Sequence, residues 1–156
     1  LPLKSVIKKI NAKNISKKVF LINQFYIQNF KFKPRIAVLG LNPHCESIDK
    51  LNEDEKIVKP VINYLKKLNY LISGPYPADT IFLKENRKKY DVVLGMYHDQ
   101  VLTPIKTLFE YDAINITLGL PFIRISPDHG PNEEMLGKNT SNPLSLIKAI
   151  TFLDKN

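Results

Sequence analysis

Cysteine occurs once in these 156 residues, at Cys45, and glycine only six times. A lone thiol excludes an intrachain disulfide framework and leads us to expect a reducing, cytoplasmic location. The glycines form neither GxGxxG nor GxxxxGK(S/T), so a Rossmann fingerprint and a Walker phosphate loop are both unsupported. No apolar run approaches the ~18 residues of a membrane span, and no signal-peptide pattern opens the chain, so a membrane partner is not expected. Acidic side chains are missing altogether from positions 1–45, which carry nine basic residues; positions 46–156 carry fourteen basic and fifteen acidic ones. The formal charge of +8 is therefore concentrated in the first third.

What remains is the composition of a folded globular domain: 44% hydrophobic and 24% charged. That excludes a disordered chain. The length fits one domain with a real core. A basic first third is one footprint of a nucleic-acid binder. Twenty of the 23 basic residues are Lys, however, and only Arg35, Arg87 and Arg124 are Arg. Nucleic-acid readers favour the planar guanidinium and interleaved aromatics, so no nucleic-acid partner is expected. A positive field serves small anionic substrates equally well.

Apolar periodicity predicts alternating helices and strands. Residues 3–10 read as a short helix. A second, capped by Asn14, runs to about Phe30, its apolar positions recurring at steps of three and four. Ile36–Leu39 reads as a buried strand ended by Gly40. Glu53, Asp54 and Glu55 place negative charge on the first turn of a helix ending near Leu68, with a kink or late start at Pro60. Tyr70-Leu71-Ile72 reads as a strand stopped by Gly74-Pro75, and a short helix follows Pro77. Strands are expected at 91–95, 113–116 and 122–125, a helix at 100–109, and a closing helix at 143–153 with Asn142 as cap and Pro143 in its first position. The fold class is α/β, a mainly parallel sheet flanked by helices.

Two histidines, His44 and His98, each follow a predicted strand. Sites in open α/β sheets form outside the carboxyl ends of the strands. There the imidazoles, with Asp99 completing or orienting the set, suit zinc, cobalt or nickel. Separate structural hydrogen bonds in two loops are the alternative. Lys106, Asn115 and Arg124 are polar positions within apolar segments. They either face solvent by alternation or form a clamp for an anion. His129-Gly130, Gly137-Lys138 and Asn142-Pro143 lie in segments of loop composition.

Five runs, RIAVLGLNPH (35–44), GPYPADTIF (74–82), MYHDQ (96–100), NITLGLPFIR (115–124) and DHG (128–130), resemble the 4-hydroxythreonine-4-phosphate dehydrogenases of vitamin B6 biosynthesis, in order and over essentially the whole chain. The resemblance implies an oxidoreductase, a homodimer with its site at the interface. It oxidises the secondary alcohol of 4-phosphohydroxy-L-threonine with NAD or NADP, and the β-keto acid then loses carbon dioxide to give 3-amino-2-oxopropyl phosphate. It implies a divalent metal (zinc, cobalt or magnesium) held by three histidines, two of which match His44 and His98. Lys106, Asn115 and Arg124 match substrate contacts, and Asp79 and Asp99 match positions with supporting or proton-handling roles, Lys106 counting among the catalytic set.

A second resemblance, to the isocitrate and isopropylmalate dehydrogenase fold group, implies that His129 and Asn142 contact the cofactor's adenine or ribose. This chain departs from the family patterns at Cys45-Glu46-Ser47, Val101, Pro131 and Glu133-Glu134. The charge of Glu134 disfavours a ribose phosphate, so NAD is favoured over NADP. The chain corresponds to roughly the C-terminal half of the family's fold. Residues 1–118 then form a metal- and substrate-binding domain, and 119–156 complete the cofactor-binding domain. The third metal ligand is expected immediately before Leu1, and this chain alone is expected to be inactive. The competing readings are a related dehydrogenase of a phosphorylated four-carbon sugar acid and a non-catalytic, basic nucleic-acid-binding module.

Overall fold

A computed structural model describes residues 2–45, 52–130 and 133–155. It divides into two compact units, Leu1–Leu102 and Thr103–Asn156. The boundary expected at 118/119 concerns what each segment binds, which the packing of one chain does not address.

The first unit opens with a 3-10 turn (Leu3–Ser5), α1 (Val6–Lys9) and the long α2 (Ala12–Phe30). The helix begins two residues before the expected Asn14. Asn11 has extended backbone and is the cap, its side-chain oxygen accepting the Asn14 N–H at 2.9 Å. Asn14, three residues on, instead reaches back with Nδ2 to the Lys9 carbonyl at 2.8 Å. Asn11 thus satisfies an N–H that the start of α2 leaves open, and Asn14 a carbonyl that the end of α1 leaves open. The chain then forms β1 (Ile36–Leu39), a π-type turn (Asp54–Val58), α3 (Lys59–Lys67), β2 (Ile72–Tyr76), α4 (Ala78–Ile81), α5 (Lys84–Arg87) and β3 (Val92–Leu94). Helical backbone already begins in the acidic run, as a π-type turn, and passes directly into α3 with Pro60 in its first turn, so the helix changes character just before the proline rather than starting late.

The sheet is wholly parallel in the order β2-β1-β3. As the central strand, β1 is buried at all four positions. Its alternation feeds two cores. Ile36 and Val38 pack with Val19, Val58, Ile62 and Leu65. Ala37 and Leu39 pack with Ile81 on the other face. Tyr26 ties α2 to the sheet, its hydroxyl donating to the Asp91 carbonyl at 3.0 Å; burial, with Asp91 adding, raises its pKa.

The expectation that Gly74-Pro75 stops β2 is corrected: the strand runs through both residues to Tyr76. Pairing shifts between Ala37↔Ser73 and Leu39↔Tyr76. Gly74 makes this possible, since its φ is +128° and a Cβ there would lie 2.4 Å from the Val38 carbonyl oxygen. A proline without an N–H is tolerated because β2 is an edge strand.

From the first unit into the second runs α6 (His98–Phe109), which begins two residues before the expected position. The second unit adds β4 (Ile114–Thr117), β5 (Arg124–Pro127) and α7 (Leu144–Lys155). The last strand lies two residues beyond the expected 122–125, because Phe122 and Ile123 stay in the exposed turn between the strands. The strands pair antiparallel, Asn115 opposite Ser126 and Thr117 opposite Arg124. The Asn142 side chain caps α7, as expected, accepting the Leu144 N–H at 2.9 Å. Among the described residues, no helix is long and apolar enough to cross a membrane.

Candidate functional site

The three parallel strands of the first unit each deliver a candidate residue just past the carboxyl end. His44 follows β1 by five residues, His98 follows β3 by four, and Asp79 follows β2 by three. Because β1 and β3 are paired neighbours, the two histidines lie beyond adjacent parallel strands, as their placement after apolar runs predicts.

His44 is exposed, in a turn closed by the Cys45 N–H donating to the Asn42 carbonyl at 3.0 Å. His98 opens α6. Its Nδ1 lies 2.7 Å from Asp99 Oδ1, and both side chains are largely exposed. A carboxylate on Nδ1 fixes the ring and leaves Nε2 to face a ligand, the usual orientation of a metal-binding imidazole. A cavity of about 570 Å³ is lined by Met96, Tyr97, His98 and Asp99 together with Lys9 and its neighbours from the first helical turns. Asp79 is exposed on the first turn of α4. For a divalent ion, the donor chemistry of His44 and of the Asp99-oriented His98 fits. Among the described residues, no three of His, Cys, Asp and Glu converge, so these two donors would be a partial set.

The second unit holds the candidate substrate contacts. Strand register puts Asn115, Thr117, Arg124 and Ser126 on one face of the β4–β5 ribbon. Arg124 Nη1 donates to Thr117 Oγ1 at 2.9 Å, and Asn115 is exposed. Lys106 Nζ pairs with Asp128 Oδ2 at 3.0 Å. Each cation is thus held in place within the unit, and each is a strong donor to an anion. His129 is exposed, its Nδ1 lying 3.0 Å from the Gly130 carbonyl oxygen. Asn142 is exposed as well, its side-chain oxygen engaged as the cap of α7. The departures at Glu46-Ser47 and Pro131, and the Glu134 side chain on which the preference for NAD rests, lie outside the described residues.

Sequence reasoning missed the residues that hold these loops. Asp54 is completely buried, and Gln100 is 9% exposed. Asp54 is hidden inside the acidic run 53–55, which reads as a solvated helix start. Gln100 closes the MYHDQ run beside the polar His98 and Asp99, with nothing in the local pattern to mark it as buried. Ser145, also fully buried, accepts the Asp128 N–H at 2.9 Å and donates to the Ala113 carbonyl.

Comparison with known proteins bears on the whole of this arrangement. The family profile described as pyridoxal phosphate biosynthetic protein PdxA matches residues 1–153. A 4-hydroxythreonine-4-phosphate dehydrogenase of a Sulfurihydrogenibium species is 44% identical over 153 residues, covering 96% of this chain and 47% of the relative. One from Xanthobacter autotrophicus is 51% identical over 118 residues, covering 75% of this chain and 34% of the relative. The crystal structure of the 4-hydroxythreonine-4-phosphate dehydrogenase of Klebsiella pneumoniae superposes with a TM-score of 0.82 at 32% identity, over 100% of this chain and 48% of that one. The chain spans at most about half the length of these relatives.

Proposed function

This chain belongs to the family of the pyridoxal phosphate biosynthetic protein PdxA, and we propose that it supplies part of the active site of a 4-hydroxythreonine-4-phosphate dehydrogenase. The observation that carries the reading is placement at one end of the sheet: Asp79, His44 and the His98–Asp99 pair each follow the carboxyl end of a strand of a single parallel sheet.

The substrate is 4-phosphohydroxy-L-threonine, an amino acid with a carboxylate, a phosphate and a secondary hydroxyl. Arg124, Lys106 and Asn115 bind its anionic groups, the guanidinium as a planar fork and the ammonium as a point charge. His44 and His98 are two donors to a divalent metal, and Asp99 keeps the His98 ring turned for that task. A divalent ion held by these donors would supply positive charge beside the alcohol oxygen, and a nicotinamide cofactor would supply the hydride acceptor for the alcohol carbon. Asp79 and Asp99, both carboxylates at this end of the sheet, handle the alcohol proton. His129 and Asn142 contact the adenosine end of the cofactor, with NAD favoured. The oxidised β-keto acid loses carbon dioxide, leaving 3-amino-2-oxopropyl phosphate. The remaining metal donor comes from sequence outside this chain, and the working form is a homodimer with the site at its interface.

The test is complementation. This chain alone is expected to show no tight divalent-metal site by calorimetry and background NADH production with zinc, cobalt or magnesium, because metal affinity rests on a complete set of deprotonated ligands. Co-expressed with the first half of the Sulfurihydrogenibium relative, it should form NADH from 4-phosphohydroxy-L-threonine, and His44→Ala or His98→Ala should abolish that. In the same assembly Arg124→Ala should weaken substrate binding by about 1.5–3 kcal/mol, the range for a lost charge-assisted hydrogen bond. Turnover by this chain alone would refute the placement of the missing ligand. Complementation that survives both histidine substitutions would remove them from the site.

A further inference from the structure

The loops that carry His44 and His98 are held by two buried polar side chains. Gln100 uses both ends of its amide: Nε2 donates to the Gly40 carbonyl at 2.7 Å, and Oε1 accepts the Met96 N–H at 2.8 Å. Gly40 is the first residue after β1, and Met96 lies in the loop that runs from β3 to His98. One side chain thus bridges the exits of two neighbouring strands, at the point where each turns toward its histidine.

Asp54 secures the next two residues of the first loop. Its Oδ1 accepts the Leu41 N–H at 2.7 Å, and its Oδ2 accepts the Asn42 N–H at 2.9 Å and Asn42 Nδ2 at 3.0 Å. A fully buried carboxylate is costly unless its oxygens are satisfied, and here three N–H donors meet them. The loop is drawn down tightly: a Cβ on Gly40 would stand 2.7 Å from Cys45 Sγ and 3.2 Å from Asp54 Oδ1. Residue type is dictated at both positions. Gln100 must donate at one end and accept at the other, whereas Asp54 must accept at both oxygens.

We propose that Gln100 and Asp54 are positioning residues, which clamp the loops after β1 and β3 to one another and to the sheet so that His44 and His98 are presented as a pair. The proposal rests on the shared-metal reading of those histidines. It assigns neither residue to substrate, cofactor or metal.

The test uses this chain with Ni²⁺ as probe, following amide hydrogen exchange at Leu41, Asn42 and Met96, the Ni²⁺ midpoint, and the melting temperature. Ni²⁺ binding by the unaltered chain should be weak and lost in His44→Ala and His98→Ala. Gln100→Glu keeps the acceptor for Met96 and loses the donor to Gly40. Leu41 exchange should therefore rise while Met96 stays protected, and the Ni²⁺ midpoint should rise about tenfold, the scale on which outer-shell support acts. Gln100→Leu should release both loops. Asp54→Asn turns an amide donor toward the donors of Leu41 or Asn42 and should speed exchange at both; if it does not fold, Asn42→Ala, which removes only the Nδ2 bond, takes its place.

Unchanged exchange in these variants overturns the proposal. So does faster exchange with an unchanged midpoint in a chain that binds Ni²⁺ through its histidines, because the two residues then support the fold without placing the pair. If the unaltered chain responds to Ni²⁺ no better than the histidine variants, it is the shared-metal reading that fails. The clamp is then decided by exchange alone, faster exchange in the Gln100 and Asp54 variants supporting it and unchanged exchange overturning it.

Discussion

The two units differ in how they become ordered. In Leu1–Leu102 a central parallel strand is buried on both faces, with helical residues supplying its cover. In Thr103–Asn156 the buried positions among the described residues are Ser145 and Ala149 alone, while Leu146, Ile147, Ile150 and Leu153 of α7 are each about half exposed. A three-stranded sheet with helices closes a core; a two-stranded ribbon with one helix does not, and such ribbons are marginal by themselves. The candidate residues divide along the same line. The histidines proposed as metal donors, a role that needs exact geometry, stand on the closed unit. The cations proposed as substrate contacts stand on the open one. On that proposal the two tasks fall on pieces of chain with different cores, one closed and one open.

The sharpest way to break that comparison is to cut equal volumes from both units. Leu39→Ala removes a fully buried side chain from the centre of β1 and should cost about 3 kcal/mol of the first unit's stability, transfer and cavity terms together. Ile150→Ala removes a half-exposed side chain from α7 and should cost about 0.5 kcal/mol in the isolated chain. Denaturant unfolding measures both. Equal losses would mean that the face of α7 is covered in solution. The exposed apolar positions of that face are Leu146, Ile147, Ile150 and Leu153.

A unit with little apolar core should depend heavily on a polar staple. Ser145 Oγ joins α7 to both strands, accepting from the Asp128 N–H and donating to the Ala113 carbonyl. Ser145→Ala leaves both backbone groups without that partner and should cost about 1–2 kcal/mol. The loss should appear as faster amide exchange across β4 and β5, with β1 unaffected. Equal effects in both units would show that they unfold together.

How far the sequence reaches follows the same division. Ile36–Leu39 and Val92–Leu94 were legible because both parallel strands, β1 at the centre and β3 beside it, are continuous apolar runs punctuated by glycine. The long helix was legible from its period, but its start was not, since Asn11 and Asn14 both suit a cap and only backbone geometry separates them. Passage of β2 through Gly74-Pro75 was illegible because edge position, which a local pattern does not reveal, decides whether proline is tolerated. At the site, His44 and His98 were legible as residues after strand ends. Asp54 and Gln100 were not, because burial of a polar side chain is a property of tertiary packing and their sequence neighbours are polar too.

The smallest expected effect lies at the opposite end of the first unit's sheet, where Arg35 and Asp91 stand just before β1 and β3. Arg35 Nε and Nη2 each meet an Asp91 carboxylate oxygen at 3.0 Å, and the Arg35 N–H donates to Oδ2 at 2.8 Å. The guanidinium bond holds the Asp91 carboxyl below the ordinary aspartate value of 3.8, partly opposed by burial and aided by the Arg35 backbone N–H and charge. A carboxyl depressed on folding adds stability that is complete above its unfolded pKa and is lost as pH falls through the folded one. The advantage of the unaltered chain over Asp91→Asn should therefore be constant from neutral pH down to about 4–5 and shrink below the ordinary aspartate range. It should be small, because half of the Arg35 side chain is exposed, and added salt should reduce it. Melting temperatures of the two proteins across that acid range measure it. An advantage that persists unchanged at the lowest pH would mean that shape and hydrogen bonding, rather than the ionised carboxylate, hold this end of the sheet. The charge at Asp91 would then play no part in the closed unit's stability.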